Sequence, residues 1–226
     1  MAAGTLYVVA TPIGNLKDIT QRALEVLAAV DLIAAEDTRV TGKLLSHYGI
    51  SKPQVSYHEH NEVRQAEALA EQLSAGKDIA LVSDAGTPTI SDPGYRLISL
   101  AARQGIEIVP IPGASSLLAA LAVSGLPTDR FLFEGFLPRK KGRVSRLKEL
   151  AQFDGTVIIF ESAQRVKRTL QDMNEYFGPR KMALCREITK KYETIMRGTI
   201  TEVLTDLESA TVKGEIVLVV GKEGLR

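Results

Sequence analysis

Along its first half the chain changes character again and again, from a short β-rich run to a longer stretch with helical spacing. The runs TLYVVA, DLIAAE, QVSYH, DIALVS and EIVPI alternate with DITQRALEVLAAV, the stretch Thr41 to Tyr48, NEVRQAEALAEQL, GYRLISLAARQ and SSLLAALAVS. A strand followed by a helix, five times over, returns each strand parallel to the last through a crossover. The pattern therefore predicts an α/β fold with a doubly wound, five-stranded parallel sheet. Ligands of such sheets sit off the carboxyl ends of the strands, so the loops that follow the strands are where chemistry is expected.

Around Leu126, Pro127 and Thr128 the alternation breaks. FLFEGF, TVIIFES, KMALCRE, YETIMRG and EIVLVV still read as strands, but only two helices, near Ser145 to Leu150 and Gln164 to Tyr176, separate them. The last three strands are joined by shorter connections, which predicts a mixed sheet. The expectation is two α/β domains, residues 1–125 and 126–226, with a cleft between them. Charge divides in the same place. Residues 1–128 hold 9 Lys and Arg against 13 Asp and Glu, a net of −4, and residues 129–226 hold 19 against 14, a net of +5. A basic second half is what a polyanion-binding face requires, although solvated surface lysines give similar counts. No apolar run approaches the roughly 20 residues of a membrane-spanning helix. TLYVVA follows the N-terminus without a basic flank and reads as a first strand, not a secretion signal. A single cysteine, Cys185, agrees with a cytoplasmic, reducing environment.

The strand-end loops carry the informative motifs. ATPIGN, Ala10 to Asn15, lacks the three glycines of a dinucleotide fingerprint, and no P-loop is present. AEDTR delivers Glu36, Asp37 and Arg39 to the ligand edge, either as a proton-handling site or as a helix cap on Asp37 or Thr38. SDAGTPTISDPG, Ser83 to Gly94, divides in two: SDPG reads as a helix start with Asp92 capping a helix from Pro93, whereas SDAGTP spends six more residues at the ligand edge. IPGASS places Ser115 and Ser116 at another glycine-turned helix entrance, as caps or as ligand contacts. Three histidines without a cysteine cluster argue against zinc, and Cys185 in an apolar run reads as a buried, inert thiol. PRKKGRVSRLK, Pro138 to Lys148, holds Arg139, Lys140, Lys141, Arg143, Arg146 and Lys148 with no acid, either a phosphate-contacting arm or a solvated loop.

Together TLYVVATPIGNLKDIT, AEDTR, SDAGTPTISDPG, IPGASS, EGFLP, CREITKKYET and GEIVLVV closely resemble the tetrapyrrole methylase superfamily, and within it the branch that methylates small-subunit ribosomal RNA. The resemblance runs from Thr5 to Val220 in order. It implies a two-domain homodimer that binds S-adenosylmethionine between its domains and methylates the ribose 2′-hydroxyl of a cytidine in the decoding region of 16S rRNA. Carried over by motif, the cofactor would meet Pro12, Asp84, Ala85, Gly86, Thr87, Ser115 and Ser116, with Phe160 and Glu215 facing the adenosine. Asp37 or Glu187 would serve as base, and Arg39, Arg186 or Lys190 as the stabilising cation. Arg139, Lys140, Lys141, Arg143 and Arg186 would meet RNA. Members often carry a histidine where this chain has Gln164 and Tyr192, which removes a histidine base at either place. Two alternatives stay open: methylation of a tetrapyrrole or other small molecule, against which the basic loop and ATPIGN argue, and a non-catalytic ribosome-binding module with the same fold.

Overall fold

The structure, a computed structural model, describes residues 2–208 and 211–224. Contacts divide the chain into two compact units, Met1–Ser115 and Ser116–Arg226.

In the first unit β1 (Thr5–Val9), β2 (Leu32–Ala35), β3 (Gln54–Ser56), β4 (Ile79–Val82) and β5 (Glu107–Ile111) form one parallel sheet in the order β3-β2-β4-β1-β5. The intervening helices are α1 (Gln21–Ala29), α2 (Thr38–His47), α3 (Glu62–Ser74) and α4 (Tyr95–Arg103). Central β4 is buried at every position, as a strand covered on both faces must be. Successive side chains feed opposite layers. Ile79 and Leu81 join Leu6, Leu69 and Leu73 of α3 and Leu97 and Ala101 of α4, whereas Ala80 and Val82 join Val9, Ala23 and Leu27 of α1 and Leu45 of α2. The sheet is thus doubly wound. The chain leaves β1 and β2 toward one layer and β4 toward the other, so the loops diverge around the carboxyl end of β4 and open a crevice there.

The second unit begins with α5 (Ser116–Val123) and continues β6 (Phe131–Phe136), α6 (Arg143–Ala151), β7 (Thr156–Ser162), α7 (Val166–Phe177), β8 (Lys181–Arg186), β9 (Thr194–Thr199), α8 (Ile200–Glu208) and β10 (Glu215–Val220). Its sheet has the order β6-β7-β10-β8-β9, with β6 and β7 parallel and the other pairs antiparallel, the mixed arrangement expected. Two details differ from the sequence expectation. The unit starts at Ser116, not at residue 126, because Ala120 and Leu121 of α5 are buried with Ile158, Ala183, Cys185, Val217 and Val219 of the second sheet. A third helix, α8, occupies what reads as a connection. Ile200, Val203 and Leu207 form its buried face, and its start is a capping box in which the Thr199 N–H donates to Glu202 Oε2 (2.6 Å) and the Glu202 N–H to Thr199 Oγ1 (3.2 Å). No helix among the described residues is long and apolar enough to cross a membrane.

Candidate functional site

The loops after β1 and β4 are stitched together at the crevice. Thr11 and Gly86 exchange both backbone hydrogen bonds (2.8 and 3.0 Å), and the Thr11 hydroxyl donates to the Ser83 carbonyl (3.1 Å). Gly86 holds φ at +81°, a left-handed value that a side chain would strain, so the glycine of SDAGTP has a geometric reason. Pro12 is buried beside this tie, Asp84 and Ala85 are exposed, and Thr87 is half-buried with its hydroxyl 3.5 Å from the Ala114 carbonyl. The loop after β5 comes equally close: a Cβ on Gly113 would lie 2.9 Å from Ala10 Cβ. Ser115 and Ser116 are half-buried at the entrance to α5. In the first unit the structure therefore joins the loops that carry Pro12 and Asp84–Thr87, and brings the turn preceding Ser115 against them.

Four carboxylates gather where β2 and β4 end. The Asp84 N–H donates to Glu36 Oε2 (3.2 Å), and the Asp37 N–H donates to Asp84 Oδ1 (3.0 Å), so the two loops clasp each other through their acids. Burial raises the Glu36 carboxyl above its ordinary range, helped by the charges of Asp84 and Asp37; burial followed by Asp37 does the same to Asp84. Asp37 goes the other way. It caps α2 by accepting from the Arg39 N–H (2.8 Å) and holds the Arg39 guanidinium at 2.6 Å, and those bonds keep its carboxyl well below the usual range. Asp92 departs from expectation. Gly94, not Asp92, is the N-cap residue of α4, which begins at Tyr95, and Asp92 turns inward, half-buried, toward Ser83. Burial, then the nearby Glu36 charge, pushes its carboxyl up to about 6. Physically, the loop doubles back: a Cβ on Gly94 would lie 2.8 Å from Thr89 Cγ2, and Thr89 and Ser91 both hold positive φ, which directs the SDPG segment back toward Ser83. Among the described residues no group of three or more His, Cys, Asp or Glu is arranged to hold a metal ion.

In the second unit Glu187 follows β8 in a left-handed conformation (φ +53°). Its Oε1 accepts from the Glu215 N–H (3.0 Å) and from Lys190 Nζ (3.1 Å), and Lys190 also reaches Glu215 Oε2 (3.1 Å). The Glu215 N–H, then Lys190, hold the Glu187 carboxyl below its ordinary range. For Lys190, burial works against the charge, but the two carboxylates outweigh it and raise the amine. Glu187 is therefore a clamp on the turn before β10 as well as an acid. Arg186 is spent on the Lys213 and Tyr192 carbonyls and the Thr194 hydroxyl. Phe160 on β7 meets Phe133 and Phe136 edge-on, with ring centroids 4.8 and 5.8 Å away. Burial pushes the Cys185 thiol up to about 11, so it is no nucleophile at neutral pH.

The basic segment is not uniformly exposed. Arg143 is buried, with its guanidinium bonded to Asp172 (2.7 Å), the Thr169 hydroxyl (2.9 Å) and the Pro138 carbonyl (3.2 Å), so its donors are taken up within the unit. The Thr169 hydroxyl in turn donates to Glu161 Oε2 (2.6 Å), whose side chain is fully buried and also meets Arg165 (2.8 Å). Arg146 is likewise engaged by Glu134 and Glu149. Arg139, Lys140 and Lys141 remain exposed on the loop that these anchors hold. The sequence put Arg143 just ahead of a helix near Ser145 but said nothing of Asp172, 29 residues away.

A family model described as Tetrapyrrole (Corrin/Porphyrin) Methylases matches residues 5–204. Among curated proteins, the Ribosomal RNA small subunit methyltransferase I of Halalkalibacterium halodurans is 52% identical over 222 residues, covering 98% of this chain and 77% of that protein. Its namesake from Haemophilus influenzae is 53% identical over 221 residues, covering 96% and 78%. Among solved structures, a diphthine synthase superposes with a TM-score of 0.75 at 17% identity, covering 99% of this chain and 92% of that one. A Thermus thermophilus uroporphyrin-III C-methyltransferase complexed with S-adenyl homocysteine superposes with a TM-score of 0.66 at 20% identity, covering 96% and 97%.

Proposed function

Because the chain belongs to the tetrapyrrole methylase family, we propose that it is an S-adenosylmethionine-dependent methyltransferase acting on small-subunit ribosomal RNA, at the ribose 2′-hydroxyl of a cytidine in the decoding region. The observation that carries the RNA reading is the similarity, at about half of all positions and over nearly the whole chain, to proteins named for that substrate. An exposed Arg139–Lys141 loop on the basic half agrees with it.

The residues of the crevice suit the cofactor by charge. Glu36, Asp84 and Asp92 all have carboxyls pushed upward, first by burial and then by neighbouring acids. A sulfonium and an ammonium would offset that mutual repulsion. The buried Thr11–Gly86 tie holds the two loops together, Gly113 leaves its backbone exposed, and Pro12, Ala85, Thr87, Ser115 and Ser116 complete the contacts proposed on this unit. Phe160 and Glu215 are the corresponding proposals on the second unit.

S-Adenosylmethionine supplies an electrophilic methyl group on a sulfur that leaves with the bonding electrons. What the chain must do is align the attacking oxygen and manage the hydroxyl proton. Asp37 is ionised at neutral pH and carries Arg39 on its flank, a proton acceptor beside a cation. Glu187 with Lys190 has the same composition, and both carboxylates already accept hydrogen bonds, Glu187 from the Glu215 N–H and Asp37 from the Arg39 N–H and guanidinium. We therefore propose Asp37 with Arg39 and Glu187 with Lys190 as the two proton-handling candidates, with Arg186 holding the β8–β9 connection. The protein is proposed to work in the cytoplasm as a homodimer, the state the family resemblance implies.

Mass spectrometry of unmethylated small subunits after incubation with protein and cofactor tests this reading. A gain of one methyl on a cytidine ribose is expected, reduced in Asp37→Asn, and Asp84→Ala should weaken cofactor binding. An unmodified RNA with the wild-type protein would sink the activity, and wild-type rates in Asp37→Asn would remove Asp37 from it.

A further inference from the structure

Strand β6 contains an irregularity that regular pleating does not permit. Its register against β7 shifts between Phe133 and Gly135: Phe133 pairs with Ile158 and Gly135 with Ile159, which leaves Glu134 as an extra residue. Gly135 holds φ at +72°. This is a β-bulge, a device that re-aims the side chains beyond it. In an unbroken strand residues three apart point to opposite faces. Here Phe133 and Phe136 both reach the ring of Phe160. The bulge is held in place, since the extra residue Glu134 takes the Arg146 guanidinium on both of its oxygens.

The result is an aromatic ring brought to the surface where charge is waiting. Phe136 is 54% exposed, supported along one edge by Phe160. Directly after it the chain enters the loop that carries Arg139, Lys140 and Lys141. That loop is anchored at its stem, because Arg165 Nη1 lies 3.5 Å from the Leu137 carbonyl and Arg143 donates to the Pro138 carbonyl. An exposed ring on a rigid support, followed within a few residues by three exposed cations, is the arrangement that binds an unpaired base by its face and the neighbouring phosphates by charge.

We propose that Phe136 is a stacking platform for an unpaired nucleobase of RNA, with Arg139, Lys140 and Lys141 neutralising the adjoining phosphates. This rests on the RNA-methyltransferase reading and deepens it, because it assigns the substrate a single-stranded or flipped-out nucleotide at the second unit instead of a duplex. Stacking is read from one aromatic face and is indifferent to base identity, so the platform would add affinity without choosing the sequence.

The test is equilibrium binding of a short single-stranded RNA carrying 2-aminopurine, with an RNA duplex and S-adenosylmethionine measured alongside. Phe136→Leu should weaken single-stranded RNA about 5- to 150-fold, the range carried by one base–aromatic stack, while the slope of affinity against salt stays unchanged. Phe136→Trp should restore both the affinity and the fluorescence quenching. The Arg139, Lys140 and Lys141 triple alanine variant should lower the salt slope by about 2. Wild-type affinity in Phe136→Leu overturns the proposal, as does an equal loss for duplex. A loss confined to S-adenosylmethionine overturns it too, by placing the ring in the cofactor pocket. A wild-type protein that methylates small subunits while Phe136→Leu binds normally refutes the platform alone. A wild-type protein with neither methylation nor RNA affinity refutes the functional reading beneath it.

Discussion

Replacing Arg143 by methionine separates a structural anchor from an RNA contact, because the two roles predict opposite results. The substitution keeps most of the aliphatic stem and removes the charge. It breaks a bond to Asp172 at 2.7 Å, one to Thr169 at 2.9 Å and one to the Pro138 carbonyl at 3.2 Å. Removing one partner of a buried ion pair costs about 3–5 kcal/mol, since the other charge is left without compensation. Asp172 is 26% exposed while Arg143 is 7% exposed, so water can rehydrate the abandoned carboxylate, and the low end applies, about 3 kcal/mol. For a chain of this length that corresponds to a melting temperature lower by about 6–12 °C. Urea unfolding with an unchanged m-value, followed in parallel with thermal melts, measures it. Arg143→Lys should recover little, because an ammonium cannot reach three partners in a planar fork. A surface arginine that only meets phosphate would cost within about 0.5 kcal/mol, and a loss that small would refute the anchoring role.

Two further outcomes follow from the strand-end loops. Asp92 has its carboxyl raised in the folded state, so the stability it contributes is complete below about pH 4, where the unfolded chain is protonated as well, and is lost as pH rises through about 6. Asp92→Asn should therefore raise the melting temperature at pH 7.5 more than at pH 4, and an equal effect at both would show that Asp92 ionises normally. At Gly214, with φ at +90°, an added Cβ would lie 2.4 Å from Glu187 Cδ and drive the carboxylate off the Glu215 N–H. Gly214→Ala should cost about 2–3 kcal/mol, from left-handed strain and one lost hydrogen bond. Part of that loss should vanish when Glu187→Ala is added, and strict additivity in the double-mutant cycle would argue against the clash.

The local features of the chain were legible in advance because they depend on neighbours in sequence. Alternating runs and the four-residue buried strand IALV identify a doubly wound sheet, since strand and helix periods are written within a few residues. Asp37 at the start of α2 reads as a cap for the same reason. A helix at α8 was legible too: TITE is a capping box ahead of residues spaced as Val203 and Leu207 are.

What depended on partners far along the chain was decided by the tertiary structure alone. Arg143 and Arg139 are the same residue type four positions apart, yet one is buried against Asp172 and the other faces solvent, a difference set by how α6 packs on α7. Asp92 has the spacing of a helix cap, but strained backbone at Thr89 and Ser91 turns it toward Ser83. α5 sits next in sequence to the first unit and buries Ala120 and Leu121 in the second, because the apolar surface it can cover lies on β8 and β10. Phe136 reads as an ordinary strand residue until one extra glutamate in β6 shifts the register and leaves its ring exposed ahead of three cations. Composition and periodicity thus determined which elements form and where ligands should gather; the pairing of strands and the burial of charge determined which of the candidate side chains are free to meet a ligand there.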